Sequence, residues 1–376
     1  MIHPRKTKEF DSVKDGFCLR HPRFVNLEAR ITANDAQLPV GYADTAVKHL
    51  KNSWHNFRSE HFPKNQDRKK SQRAPYMVNL SGGVDSSTAL ALATEAVGPD
   101  NVVAFTYIHD DMNPAENEDL EKARIVADHL GLSSRNRHKI IDLSDEIRAH
   151  KKTLDEQLGI NPQTTHQALL NAYSAEQMVR MRAGYINNLV FHYKGGITID
   201  TSNITELFMG NITAGANLGM VGVIGDLLKC EVYKLGQEIG LPKEITEQEK
   251  RTGEFGTSVR EMFGADQDVL DPLVYAYLSD TSDSGVEKAL ALGHDSEWTQ
   301  SIIERIIGNR NRYYGIGPIT DIRDCWEEES NRKYHNALER KILTPDVMSS
   351  RQIWGEGRLA QELCKTRNEY MGHLFN

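Results

Sequence analysis

The apolar positions of this chain change period from stretch to stretch, and those changes mark its elements. From Ala43 to Phe62, Val47, Leu50, Trp54 and Phe57 recur at helical spacing. A polar, basic linker follows from Pro63 to Pro75. Beyond it, short apolar runs alternate with helical patterns. Tyr76–Leu80 predicts a first strand and Ser86–Ala96 its helix. Asn101–Ile108 predicts a second strand through Val102, Val103, Phe105 and Tyr107, and Asp119–Leu130, closed by Gly131, its helix. His138–Leu143 predicts a third strand.

The pattern then loosens. Ser144 to His166 is helix-prone without a clean apolar face. Thr165 to Tyr193 predicts a long helix with Leu169, Tyr173, Val179, Ala183, Ile186 and Val190 on one side. Ile197–Thr201 predicts strand four. Asn203 to Gly225 is rich in glycine, asparagine and threonine, and is expected to be one long irregular loop; a loop of that length in a compact domain is usually functional. Leu227–Ile239 predicts a helix stopped by Gly240 and Pro242. Thr246 to Gly264 is polar, Val269–Leu278 and Glu297–Ile307 read as helical, and Ile319–Asn376 is charged and helix-prone, with Trp326 and Trp354 as packing anchors. Strands alternating with helices predict an α/β fold, a doubly wound, mainly parallel sheet with helical N- and C-terminal extensions. The expected divisions are an extension over 1–42, a body over 43–318 and a second extension over 319–376.

Composition narrows the class. The 376 residues are 39% hydrophobic and 26% charged, ordinary for a water-soluble globular chain. No apolar run approaches the roughly 18–20 residues that cross a bilayer, and the N-terminus lacks the apolar stretch of a signal peptide, so the protein is expected to be cytoplasmic and off the membrane. The four cysteines, Cys18, Cys230, Cys325 and Cys364, form no C-x-x-C pair, which argues for a reducing compartment and against a zinc site. Residues 1–75 hold 15 Lys/Arg against 8 Asp/Glu, a net +7 within a total of −8, so the rest of the chain carries −15. An acidic body makes nucleic acid an unexpected partner.

The chemistry-bearing stretch is Leu80-Ser81-Gly82-Gly83-Val84-Asp85-Ser86-Ser87. A strand that ends in Ser-Gly-Gly and opens a helix is suited to phosphate. Glycines let an anion approach the backbone, and the first N–H groups of a helix have no partner within it. Ser81, Ser86 and Ser87 add hydroxyl donors, and Asp85 can hold magnesium against phosphate oxygens. No lysine closes the loop, so it is not the G-x-x-x-x-G-K-[ST] type. It resembles the PP-loop, S-G-G-x-D-S, of the ATP pyrophosphatases, which split ATP between the α and β phosphates and pass AMP to a substrate oxygen.

Further stretches follow in order: Val179-Arg180-Met181-Arg182, Asp200-Thr201-Ser202-Asn203-Ile204-Thr205-Glu206, and Ile224 to Val232 containing Lys229. Together with the loop they resemble the synthetase domain of the NAD synthetase family, over roughly residues 43–315, ending in Ile306 to Arg312. The resemblance implies an adenine nucleotide alpha-hydrolase-like fold and a ligase that uses ATP and Mg2+. It implies phosphate binding by Ser81, Gly82, Gly83 and Ser86, magnesium held by Asp85 and Glu206, and ATP contacts from Arg180, Thr201 and Lys229, with Asp85 and Lys229 catalytic. The family reaction joins ammonia to deamido-NAD through an acyl-adenylate, and the family's homodimer implies one here, with the Ala43–Phe62 helix as candidate interface. The segment ahead of the loop is too short for a fused glutaminase, so ammonia is expected free or from a separate glutaminase. Relatives that use ammonia carry a lysine and two aspartates after Glu206, whereas Gly210 to Val221 carries no charge, and Met112 stands where an arginine is expected. Another PP-loop amide or amidine ligase, or a tRNA-modifying PP-loop enzyme using the basic N-terminal segment, are the alternatives.

Overall fold

The computed structural model describes residues 30–61, 74–110, 114–158, most of 181–209, 221–247, 251–252, 257–279 and 358–371, with positions 292, 299, 302 and 374. Five parallel strands form the sheet: β1 Tyr76–Asn79, β2 Val102–Ile108, β3 His138–Asp142, β4 Ile197–Asp200 and β5 Val221–Gly222. Their order is β3-β2-β1-β4-β5. Tyr76 stands beside Val102 on one side and Ile197 on the other, so the chain builds outward from β1 through β2 and β3, then returns to its opposite flank. The space above the C-terminal ends of β1 and β4 is therefore the point where the winding reverses, the place where open α/β sheets bind ligands.

Alternation along the strands sends side chains to both faces. Tyr76, Val78, Val102, Ala104, Ile197 and Ile199 join the larger core. Met77, Val103, Phe105 and Tyr107 point the other way, into a cluster with Leu143, Ile147 and Ile186. A parallel sheet with both faces covered needs this continuous apolar content, and the doubly wound expectation holds. The larger core also takes α1 Tyr42–His61, α2 Val84–Val97 and α3 Pro114–His129. α1 buries Ala46, Leu50 and Trp54 against α2. Its Trp54 Nε1 donates to the Ala74 carbonyl at 2.9 Å, and Tyr76 Oη to that of Leu50 at 2.6 Å. The apolar face offered above as a dimer interface is thus covered within the chain. On the second face, α4 Ser144–Leu158 contributes Ile147, and helix is present at the described positions between 181 and 192.

Several expectations are corrected. Asn203 to Gly225 is not one irregular loop: it holds a short helix, α5 Ile204–Met209, and the edge strand β5. Asn203 starts the helix, its Oδ1 accepting the Glu206 N–H at 2.9 Å, and Val221 pairs with Ile199. The polar segment from Thr246 to Gly264 contains an antiparallel pair, β6 Arg251–Thr252 with β7 Thr257–Ser258, and α8 Val259–Phe263. Between them lie α6 Lys229–Glu238 and α7 Lys243–Thr246; α9 Gln267–Ser279 follows, and α10 Arg358–Met371 comes from the C-terminal extension. Trp326 and Trp354 lie outside the described residues.

A second core gathers Ile31 and Ala36 from the N-terminal segment, Phe263, Leu270, Leu273 and Val274 around α9, and Tyr370 and Met371 of α10. Ile31 donates its N–H to the Asp268 carbonyl at 2.8 Å and Arg30 reaches the Asp268 carboxylate at 3.1 Å. Both extensions thus pack on α9. Among the described residues no helix is long and apolar enough to cross a membrane.

Candidate active site

The loop between β1 and α2 is built from its own hydroxyls. Leu80 N–H still pairs with the Phe105 carbonyl at 2.7 Å, after which the chain leaves the sheet. Ser81 N–H donates to Ser86 Oγ at 3.2 Å, and the two hydroxyls lie 3.1 Å apart. Ser86 Oγ and Ser87 Oγ both donate to the Gly83 carbonyl, at 3.2 and 2.8 Å. Ser86 is buried and spends its hydroxyl on the shape of the loop, whereas Ser81 is exposed.

The two glycines have different reasons. Gly82 has φ +88°, and a Cβ there would lie 2.1 Å from the Asp119 carbonyl oxygen of α3. Neither its conformation nor its neighbour admits a side chain. A Cβ on Gly83 would meet only Ser81 Oγ, at 3.5 Å. The protein leaves Gly83 open on that side, and Gly83 caps α2 with no side-chain hydrogen bond to the helix's first amides. An open backbone at an uncapped helix start suits an anion.

Three elements bring charge to this loop. Asp85 lies in the first turn of α2, Glu206 in the first turn of α5, and Lys229 opens α6. Lys229 Nζ donates to Asp85 Oδ2 and, at 3.0 Å, to Glu206 Oε1. Asn203 Nδ2 donates to Asp85 Oδ1 at 2.8 Å. Sequence reasoning passed over Asn203 as a site residue; its signal was a residue able both to cap α5 and to donate, at the end of β4. All three charged side chains are largely shielded, Lys229 being 12% exposed, Asp85 14% and Glu206 21%.

Shielding sets the electrostatics. Burial, and then the Asp85 charge, push the Glu206 carboxyl up to about 7, despite the opposing pull of Lys229. Burial alone would lower Lys229; the Asp85 and Glu206 charges outweigh it and hold the ammonium above its ordinary value. Asp85 and Glu206 both face the Lys229 ammonium, and two neighbouring carboxylates are the hard oxygen donors a divalent cation takes. Among the described residues no group of three or more His, Cys, Asp or Glu makes a complete metal site. The pair fits a divalent ion that takes its remaining ligands from phosphate and water.

Thr201 follows β4, beside Asp200, whose carboxylate accepts the Ser202 N–H at 2.9 Å and hydroxyl at 2.8 Å. Burial raises Asp200. Arg180 lies outside the described residues. Its neighbour Arg182 sits with its guanidinium 5.9 Å from the centre of the Tyr107 ring, whose hydroxyl donates to Asn79 Oδ1 at 3.1 Å. Thus Ser81, Gly82 and Gly83 lie on the loop, Asp85 and Ser86 in the first turn of α2 that it opens, and Asp85, Glu206 and Lys229 meet.

Fold and loop define the class: a doubly wound α/β protein of the PP-loop kind, with a carboxylate pair and a lysine beside the loop. The comparisons name the family. The family model described as NAD synthase matches residues 61–313, and the chain belongs to that family. The NH3-dependent NAD+ synthetase of Pyrococcus furiosus is 29% identical over 257 residues, 67% of this chain and 91% of its own length. That of Fusobacterium nucleatum is 27% identical over 276 residues, 72% and 94% of the two chains. Among solved structures, the NH3-dependent NAD synthetase from Campylobacter jejuni superposes with a TM-score of 0.52 at 21% identity, over 76% of this chain and all of that one. The NMN synthetase from Francisella tularensis gives 0.53 at 20%, with the same coverage.

Proposed function

We propose that this protein is an ammonia-dependent ligase that makes NAD from deamido-NAD, ATP and ammonia, releasing AMP and pyrophosphate. The observation that carries the reading is the Lys229 ammonium between Asp85 and Glu206 at the mouth of the phosphate loop, within the family-matched segment. The nicotinate carboxylate is a poor electrophile, so one of its oxygens first attacks the α phosphorus of ATP. The bond from that phosphorus to the bridging oxygen breaks and pyrophosphate leaves. Ammonia then attacks the acyl carbon, the bond to AMP breaks, and the nitrogen loses a proton.

The chain's own groups serve the first step by orientation and charge. Ser81 and the open backbone of Gly82 and Gly83 receive the departing phosphates; Ser86 keeps the loop in shape. Arg180 and Thr201 contact ATP, and the Lys229 ammonium neutralises charge on the phosphates. Asp85 and Glu206 would hold magnesium, which supplies a positive charge against the phosphate oxygens. The protein works in the cytoplasm, as a homodimer, on free ammonia or ammonia from a separate glutaminase. Membership of the family supports the acceptor end; residues 210–220 lie outside the described residues.

The test supplies ATP, magnesium, deamido-NAD and ammonia to the purified protein and follows pyrophosphate and NAD. The expected result is one NAD per pyrophosphate. Pyrophosphate without NAD overturns the acceptor, and turnover that survives Asp85→Ala overturns the site.

A further inference from the structure

The start of α6, which carries Lys229, is held from three directions. The first amides of a helix have no partner inside it, yet here three in succession are taken by side chains. Leu228 N–H donates to Glu231 Oε2 at 2.8 Å, Lys229 N–H to Thr205 Oγ1 at 3.2 Å, and Cys230 N–H to Asp271 Oδ2 at 2.7 Å. The first of these acceptors, Glu231, is fully buried. A carboxylate in that position needs a cation and donors for its remaining lone pairs.

Both come from α10. Arg367 Nε donates to Glu231 Oε1 at 2.7 Å and Nη2 to Oε2 at 2.5 Å, a two-pronged pair; Tyr370 Oη donates to Oε1 at 2.7 Å. Arg367 Nη2 also donates to the Asp226 carbonyl, in the turn that leads into α6. One guanidinium therefore grips the helix start on both sides of Lys229. This helix, Arg358–Met371, lies beyond residues 61–313, the segment that matches the family.

We propose that Arg367 and Tyr370, from outside the family-matched segment, are positioning residues that aim Lys229 at Asp85 and Glu206 by fixing Glu231 and the entry to α6. The C-terminal helix is then a working part of the active site, although it touches no reacting atom. The proposal rests on the functional reading above for what Lys229 does.

The full-length chain tests it with Tyr370→Phe, which removes one donor, Arg367→Lys, which keeps the charge and loses the fork, and the double variant Glu231→Gln/Arg367→Met, which removes both buried charges together so that neither is orphaned. Circular dichroism and thermal melting establish the folded fraction. Per folded molecule, kcat is expected to fall about tenfold to a hundredfold in the double variant and less in Tyr370→Phe, with KM for ATP little changed. Arg367→Lys is expected to fall between them. A folded double variant with parental kcat and pH profile overturns the proposal. A second readout needs no turnover: competitive acetylation followed by peptide mass spectrometry, with exposed Lys243 as internal reference. Lys229 is expected to label severalfold faster in the double variant, and unchanged labelling in folded protein overturns the proposal. If the parent makes no NAD, the functional reading fails, while the labelling still decides the positioning.

Discussion

Asn203 donates its side-chain amide to Asp85 Oδ1 across 2.8 Å, while its Oδ1 accepts the Glu206 N–H at 2.9 Å. One amide thus joins the turn after β4 to the helix after β1, across the point where the sheet reverses its winding. The two carboxylates of the site are 121 positions apart, from Asp85 to Glu206, and Asn203 ties the Asp85 carboxylate to the backbone of Glu206. Asn203→Ala frees Asp85 on one side and uncaps α5. If Asp85 and Glu206 hold magnesium as proposed, the expected result is a fall in kcat/KM of about tenfold to a hundredfold, the range for residues that orient metal ligands, with a higher magnesium requirement. Asn203→Asp adds a third negative charge and is expected to do worse, although it still caps the helix. Initial rates against magnesium concentration check both.

Gly82 and Gly83 separate fold from function. Gly82→Ala places a methyl group against the Asp119 carbonyl in a left-handed backbone. It should cost about 3 kcal/mol or more, from the conformational penalty together with overpacking. Gly83→Ala meets only Ser81 Oγ at 3.5 Å, so its melting temperature should stay near the parent's. Its methyl group projects into space the protein leaves open, and ATP-dependent pyrophosphate release should fall sharply. Melting curves and pyrophosphate assays on the two variants give opposite orders of severity if the loop cradles phosphate.

The phosphate loop was legible because its information is local. Strand, glycine turn and helix are contiguous, and each hydroxyl hydrogen bond that shapes the loop spans five residues or fewer. The sheet's alternation was equally readable, since period-two apolar runs dictate two covered faces. The supports of the site were not. Asp271 meets Thr205 from 66 positions away and Arg367 meets Glu231 from 136. What the sequence did offer was a carboxylate inside each of two apolar runs, Cys230-Glu231-Val232 and Leu270-Asp271-Pro272-Leu273. An acid at such a position is costly unless paired, so each implied a partner without naming it. α5 was missed because six residues starting at an asparagine cap give too short a helical period to recognise.

Asp271 carries the second of those supports. It is fully buried, accepts the Thr205 hydroxyl at 2.7 Å on one oxygen and the Cys230 N–H at 2.7 Å on the other. Thr205 precedes Glu206 and Cys230 follows Lys229, so one carboxylate holds both arms of the site. Asp271→Ala leaves two buried donors unsatisfied and should destabilise the protein by about 2–5 kcal/mol. Asp271→Asn keeps the shape but can accept with only one of its two end atoms; it should lose less stability and still lose activity. Denaturant unfolding of the two variants, beside their kcat values, tests that order.

Glu206 makes the site sensitive to pH in a stated direction. Its carboxyl is held at about 7, against an ordinary 4.5, by burial and then by the Asp85 charge. Between those values the native protein holds a proton that the unfolded chain has released. The contribution of this group to stability is therefore fully present below pH 4.5 and is lost as pH rises through 7. Its full size is up to about 3 kcal/mol at 1.36 kcal/mol per unit. Lys229 is raised as well, but its window lies at alkaline pH and does not enter here. In the absence of magnesium the melting temperature should fall between pH 5 and 8 by several degrees, and Glu206→Gln, which cannot ionise, should flatten that slope. A divalent ion favours the ionised carboxylate, so metal binding releases the proton. Magnesium with ATP should then reduce the fall in melting temperature, and the acid limb of the activity profile should move to lower pH as magnesium rises. Lys229→Met removes the opposing charge beside Glu206, which should push its carboxyl higher and carry the acid limb upward by the same logic. A limb that stays fixed as magnesium is varied in the parent protein would overturn the proposal that Glu206 holds magnesium.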